Sequence, residues 1–224
     1  MRGRTLIIAA HPDDDILGCG GIMSKFKEKV DFKVLFIGEG STCRYKDPNC
    51  IEAKNEVKKR NKMGVKALNF LGVKNYIFSD LPCGRLDQIP QIEINKIIEN
   101  EIKNFNPSCV LTHSRVDCNK DHIKVLDATL IATRPGNSVK EVLSYEVLSS
   151  SEWGFENSFT PNVFFHLENE NLNDKCESFK FYESEIKEFP YPRSENAIRS
   201  LASVRGFQSG TKYAEAYTLI RQNR

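Results

Sequence analysis

A histidine and three carboxylates stand within five consecutive residues, His11-Pro12-Asp13-Asp14-Asp15, and a second cluster, Asp117-Cys118-Asn119-Lys120-Asp121-His122, stands far downstream. Such groups are costly to bury without partners, and a cation is the partner that makes their clustering favourable. One imidazole from each cluster and one carboxylate compose a two-histidine, one-carboxylate set with a position left for water, as catalytic zinc sites require. Other divalent metals accept the same ligands, so Zn2+ is a preference. A bound cation lowers the pKa of its water towards neutrality, and a neighbouring carboxylate can take the proton as that water attacks a carbonyl. Taken alone, each cluster has a plainer reading. Acidic residues at a helix start cap it and complement its dipole, and a single histidine there is structural. The pairing of the two clusters is what favours metal chemistry.

Two strands must bring the clusters together. The apolar run 5–10 predicts a central strand covered on both faces, and 109–112 predicts another. In an open parallel sheet, residues beyond the carboxyl ends of the strands line the ligand crevice, so both clusters open at one edge. A helix is expected at 16–29, where Gly18, Cys19, Gly20 and Gly21 cost propensity and point to close approach of helix to strand or of backbone to ligand. Further strands are expected at 32–37, 68–71, 76–78, 142–147 and 163–167, and helices at 51–63 (facing solvent), 92–105, 119–133, 173–188 and 194–205. The alternation over 5–135 predicts an α/β layered domain with a mostly parallel sheet flanked by helices.

A chain of 224 residues suits one domain, 1–224, with one substantial core. Its 32 basic and 30 acidic residues nearly cancel, which excludes the basic excess of a nucleic-acid surface. No apolar run approaches the roughly 20 residues of a membrane span, and no signal peptide is expected. Seven scattered cysteines without CxxC spacing suit reduced thiols in a cytoplasmic protein rather than a disulfide frame or a thiolate zinc site.

The run Ala10-His-Pro-Asp-Asp-Asp15, followed by Ile16-Leu-Gly-Cys-Gly-Gly21, resembles the AHPDDE-x-x-x-G-x-G-G signature of the PIG-L/LmbE-like family of metal-dependent N-deacetylases, and Asp121-His122 resembles its second signature. Segments 36–44, 112–113, 132–135, 149–153, 190–194 and 214–217 also look like bacterial members, so the likeness covers nearly the whole chain. The resemblance implies a Rossmann-like, LmbE-like layered fold, a metal bound by His11, Asp14 and His122, and Asp13 as general base. It implies removal of an acyl group, chiefly acetyl, from the nitrogen of an amino sugar or its conjugate. Two positions depart from the pattern. Asp15 stands where the signature usually has Glu, one methylene longer, which predicts an adjusted hydrogen-bond shell. Asn119 stands where some members carry a second histidine. It can stabilise an oxyanion as a neutral donor but carries no proton, so either His113, at the end of the preceding strand, or protonated Asp13 supplies the acid.

Expected substrate contacts are Glu39 and Arg44 in the loop after the second strand, Asp87, and Trp153, whose indole suits a sugar ring or packing equally well. For the loop residues a solvated position is the plain alternative, and for Arg193 and Arg205 the choice lies between a phosphate contact and a surface ion pair. The expected partner is a small amino-sugar conjugate, nucleotide-linked forms included. Two rival functions stand beside this one: a metal-dependent hydrolase of an ester or phosphoester, and a non-catalytic sugar- or nucleotide-binding module on the same scaffold.

Overall fold

The computed structural model describes residues 3–223; Met1, Arg2 and Arg224 lie outside them. The first apolar run forms β1 (Gly3–Ala9), and Leu6 to Ala9 are completely buried. Ile7 and Ala9 face one helical layer while Leu6 and Ile8 face the other, because alternate side chains of a strand point to opposite faces. The chain continues through α1 (Asp14–Phe26), β2 (Val30–Gly38), α2 (Ile51–Phe70), β3 (Asn75–Leu81), α3 (Gln91–Phe105), β4 (Cys109–His113), α4 (Lys120–Ala132) and β5 (Glu141–Tyr145). It closes with β6 (Val163–Leu167), α5 (Asn169–Lys180), α6 (Glu195–Gln208) and β7 (Tyr213–Gln222).

The sheet has seven strands in the order β3-β2-β1-β4-β5-β7-β6. The first five are parallel, and β7 runs antiparallel to both β5 and β6. Helices α1, α2, α5 and α6 cover one face and α3 and α4 the other. Chain order reverses between β1 and β4, the switch point at which an open α/β sheet leaves a crevice. Both His/Asp clusters follow these two strands.

The expected α/β architecture is present, with three corrections. Residues 68–71 are not a strand; they end α2, since a short apolar run does not distinguish a strand from a buried helical turn. The helix expected at 173–188 spans Asn169–Lys180, begun by a reciprocal Glu168–Asn171 capping box. Strand β7 was not expected at all. Its Glu215 looks like a surface residue but is buried, accepting from Gly21 N, Ile22 N and Lys175 Nζ. The small residues of α1 serve packing: a Cβ on Gly18 would lie 2.3 Å from the Tyr145 ring, and one on Gly21 2.5 Å from Leu167.

Candidate active site

His11 to Asp13 turn the chain from β1 into α1. Within the turn, His11 N donates to Asp14 Oδ2 at 2.8 Å and Asp13 N to Asp15 Oδ1 at 3.2 Å. Asp15 thus braces the turn, and Tyr182 Oη donates to the same Oδ1 at 3.2 Å. Asp13 takes φ 125°, a conformation that a residue with a side chain holds only where its surroundings impose it. So turned, Asp13 meets arginines while Asp14 faces histidines. Beyond the loop that follows β4, Asn119 caps α4 by accepting from Asp121 N at 2.9 Å, which puts Asp121 and His122 in the first helical turn.

His11 Nδ1 lies 3.4 Å and His122 Nε2 3.3 Å from Asp14 Oδ2. A carboxylate holds the far nitrogen of each ring: Asp121 Oδ2 is 2.9 Å from His11 Nε2, and Asp117 Oδ2 is 2.9 Å from His122 Nδ1. With one N–H donated to each carboxylate, a ring that gives up its other proton presents the inner nitrogen to a cation. Asp117 is fixed by Ser150 Oγ at 2.9 Å, Ser151 Oγ at 3.1 Å and Asn119 N at 2.8 Å. Asp121 is fixed by Gly84 N at 2.6 Å and Leu86 N at 3.1 Å.

Burial opposes charge on both imidazoles, yet the surrounding carboxylates outweigh it and raise His11 to about 9 and His122 to about 10. Burial opposes charge on Asp14 too, but the His122 charge and bonds from both rings hold its carboxyl well below the usual range. A field that retains protons here equally favours a divalent cation. His11, Asp14 and His122 offer ligand atoms within 4.8 Å of one another, and Asp14 Oδ1 is buried without a partner. This donor set fits a divalent metal ion.

Asp13 stands outside that triangle. Its Oδ2 lies 3.1 Å from Arg60 Nη2 and 3.3 Å from Arg193 Nη1. Burial pushes its carboxyl up, and Arg193 and Arg60 pull against that rise. Arg60 Nε also donates to Pro12 O at 2.9 Å, and Glu185 ties Arg60, Arg193 and Arg44 together.

His113 supports the site from below. Its ring stacks on His122 at 4.0 Å between centroids, and its Nε2 accepts from Ala10 N at 2.8 Å. Burial lowers it to about 3. The neutral ring therefore keeps its proton on Nδ1, which is buried without a partner. Glu39, expected as a substrate contact, is buried, and its carboxylate accepts from Ser41 N, Thr42 N, Thr42 Oγ1 and Cys83 N, so it ties the loop after β2 to the loop after β3. Arg44 is half-exposed but doubly bonded to Glu185 at 2.8 and 2.9 Å. Asp87 is exposed on the turn Leu86–Gln88. Trp153 is half-exposed, edge-on to Phe155, so it packs against a surface neighbour and not in the core. Arg205 pairs with Glu146, away from the cluster, and His166 is exposed on β6. Sequence reasoning missed Arg60 and Glu185. Both lie in stretches rich in charge, and nothing local separates them from solvated neighbours.

A family model for PIG-L, GlcNAc-PI de-N-acetylase, matches residues 6–133, more than half of the chain. The uncharacterized deacetylase YaiS of Escherichia coli (strain K12) is 28% identical over 194 residues, 82% of this chain and 92% of its own. The N,N'-diacetylchitobiose deacetylase from Pyrococcus horikoshii superposes with a TM-score of 0.75 at 16% identity, covering 97% of this chain and 84% of its own. GalB, the 4-carboxy-2-hydroxymuconate hydratase from Pseudomonas putida KT2440, superposes with a TM-score of 0.73 at 18% identity, covering 100% of this chain and 98% of its own. At such identities the structural likeness speaks for the fold alone, and a deacetylase and a hydratase share it.

Proposed function

The chain belongs to the PIG-L family of de-N-acetylases, and from that premise we propose that it is a metal-dependent N-deacetylase that removes an acyl group, acetyl foremost, from an amino sugar or its conjugate. The observation that carries this reading is the buried convergence of His11, Asp14 and His122, each imidazole braced by its own carboxylate. These three residues would hold the ion, Zn2+ by preference; when bound, it supplies Lewis-acid activation of the amide carbonyl and of water.

Asp13 takes the proton of the attacking water and returns it to the departing amine. A carboxyl pushed up by burial and drawn back by Arg193 and Arg60 suits both halves of that task better than an exposed one. Arg60 and Arg193 aim the carboxylate. Asn119, whose Oδ1 is engaged in capping, keeps its amide protons to donate to the carbonyl oxygen as charge develops there. His113 braces His122 by stacking on its ring. Arg44, Asp87 and Trp153 lie at the surface, where the rest of a sugar conjugate, nucleotide-linked or not, can meet them. Among the described residues no helix is long and apolar enough to cross a membrane. The seven free cysteines support a reducing, cytoplasmic compartment.

The test is acyl release from a panel of N-acetyl amino sugars by metal-loaded protein, with metal content measured alongside. Wild type is expected to release acetate, and Asp13→Asn to lower kcat by about 10²–10⁴-fold with metal content unchanged. Metal-loaded wild type that releases acetate from no member of the panel refutes the proposal.

A further inference from the structure

Cys43 and Cys83 follow different strands, β2 and β3, and the whole of α2 lies between them in the chain, yet their Sγ atoms are 3.3 Å apart. Both are free thiols, Cys43 exposed and Cys83 buried. We infer that they form a reversible dithiol–disulfide pair, a modification site open to peroxide, whose closure loosens the hold of Asp121 on His11.

The close approach is built into the two loops. Gly84 takes φ +68°, and a Cβ there would stand 3.2 Å from Cys43 Cβ, so glycine is what admits it. Glu39 accepts from Cys83 N on one side and from Ser41 N and Thr42 N on the other, and one buried carboxylate thereby keeps both thiols in register. Cysteines that sense oxidants are accessible, rich in thiolate and close to a resolving thiol. Cys43 is exposed, and the hydrogen bond with Cys83 outweighs burial and, with the Arg44 charge, lowers it to about 6. Cys83 is the resolving thiol beside it.

The Cys43 thiolate attacks one oxygen of hydrogen peroxide, the O–O bond breaks, and a sulfenic acid forms with loss of one water. The Cys83 sulfur then displaces the sulfenic oxygen as a second water. Two thiols and one peroxide thus give one disulfide and two waters, with two electrons passing from sulfur to oxygen. A dithiol reverses the change by exchange and is itself oxidised to a disulfide. Thiols that rest reduced and pair transiently suit a reducing compartment.

The consequence for the candidate metal site runs through Gly84, next in the chain to Cys83. Its N donates to Asp121 Oδ2 at 2.6 Å, and that oxygen holds His11 Nε2 at 2.9 Å. A disulfide holds its sulfurs at about 2.05 Å, so closure draws Cys83 towards Cys43 and shifts this donor. Disturbing the partner of a ligating imidazole lowers metal affinity. This consequence rests on His11 being a metal ligand; the disulfide does not.

The full chain, freed of metal and reduced, is treated with hydrogen peroxide, alkylated and digested with trypsin. Peptide 34–44 is expected joined to peptide 75–85, with free thiols falling from seven to five, and a dithiol should separate the two. Zn2+ affinity, measured by competition with a chromophoric chelator, is expected to fall by about 10-fold on oxidation and to return on reduction. Cys43→Ser changes an exposed side chain and should keep its affinity through the same treatment, whereas Cys118→Ser, at another exposed cysteine, should respond as wild type does. Wild type without the 34–44 to 75–85 link, linked protein of unchanged affinity, or an equal loss in Cys43→Ser overturns the inference. Reduced protein that binds no Zn2+ refutes the metal reading and with it the effect on His11, while the link is read without metal. Neither readout uses substrate, so both are separate from whether the chain deacetylates sugars.

Discussion

An imidazole offers a metal one nitrogen, and the group on its other nitrogen decides which one that is. For His11 that group is Asp121 and for His122 it is Asp117, each at 2.9 Å. Asp117 also collects Ser150 and Ser151 from the turn after β5, so a single carboxylate joins two loops to one ring. Asp117→Asn keeps the shape and removes the charge. It is expected to weaken divalent-metal affinity by about 10–100-fold, measured by competition with a chromophoric chelator, with the far-ultraviolet dichroism unchanged. Affinity equal to wild type would mean that stacking on His113 alone orients His122. At this scale the sequence is informative where chemistry is local: His11, Asp14 and His122 stand out by type and spacing, and the structure brings them together. The partners of Glu39 are not legible, because its four donors come from two loops whose meeting no spacing announces.

Helix α1 carries the turn of the candidate metal site at its start and lies close against the sheet. Tyr145 fills the space beside Gly18 and donates from its hydroxyl to Ile8 O at 2.8 Å, one residue before β1 ends at Ala9. Alanine in place of an interior helical glycine ordinarily gains up to about 1 kcal/mol. Gly18→Ala is instead expected to destabilise by about 1–3 kcal/mol, since the added carbon overlaps the Tyr145 ring and must displace it. Urea unfolding measures the sign, and a stabilised variant would show that the helix can slide without cost. Glycines in α1 are legible as a request for close approach, but not for what approaches. Strand β7 was illegible for a related reason. Its pattern is interrupted by Glu215, an acid made tolerable inside by Lys175 and two helix amides, all remote in sequence.

Across the whole molecule, Glu185 draws Arg44, Arg60 and Arg193 onto one buried carboxylate, and two of those arginines reach Asp13. Burial disfavours its charge, but the hydrogen bond from Arg44 and the charges of all three arginines hold Glu185 at about 2, below its ordinary 4.5. A folded-state value below the unfolded one contributes stability that is present above about pH 4.5 and lost as the pH falls towards about 2. Glu185→Gln is therefore expected to be less stable than wild type by about 3–5 kcal/mol at pH 7, with the gap narrowing as the pH falls below about 4.5. Denaturant unfolding at neutral and acid pH checks this, and a gap independent of pH would mean that the carboxylate's charge is not what binds the three arginines. By itself the sequence singled out the residues proposed to carry the chemistry and showed how the strand and helix layers alternate, because residue type, spacing and periodicity are properties of neighbours in the chain. Only the tertiary structure decided what orients those residues. Arg60 comes from a helix that reads as solvent-facing, Glu185 and Arg193 come from the far end of the chain, and Cys43 meets Cys83 across two loops. Ion pairs and sulfur contacts depend on distance in space, and a single sequence records only distance along the chain.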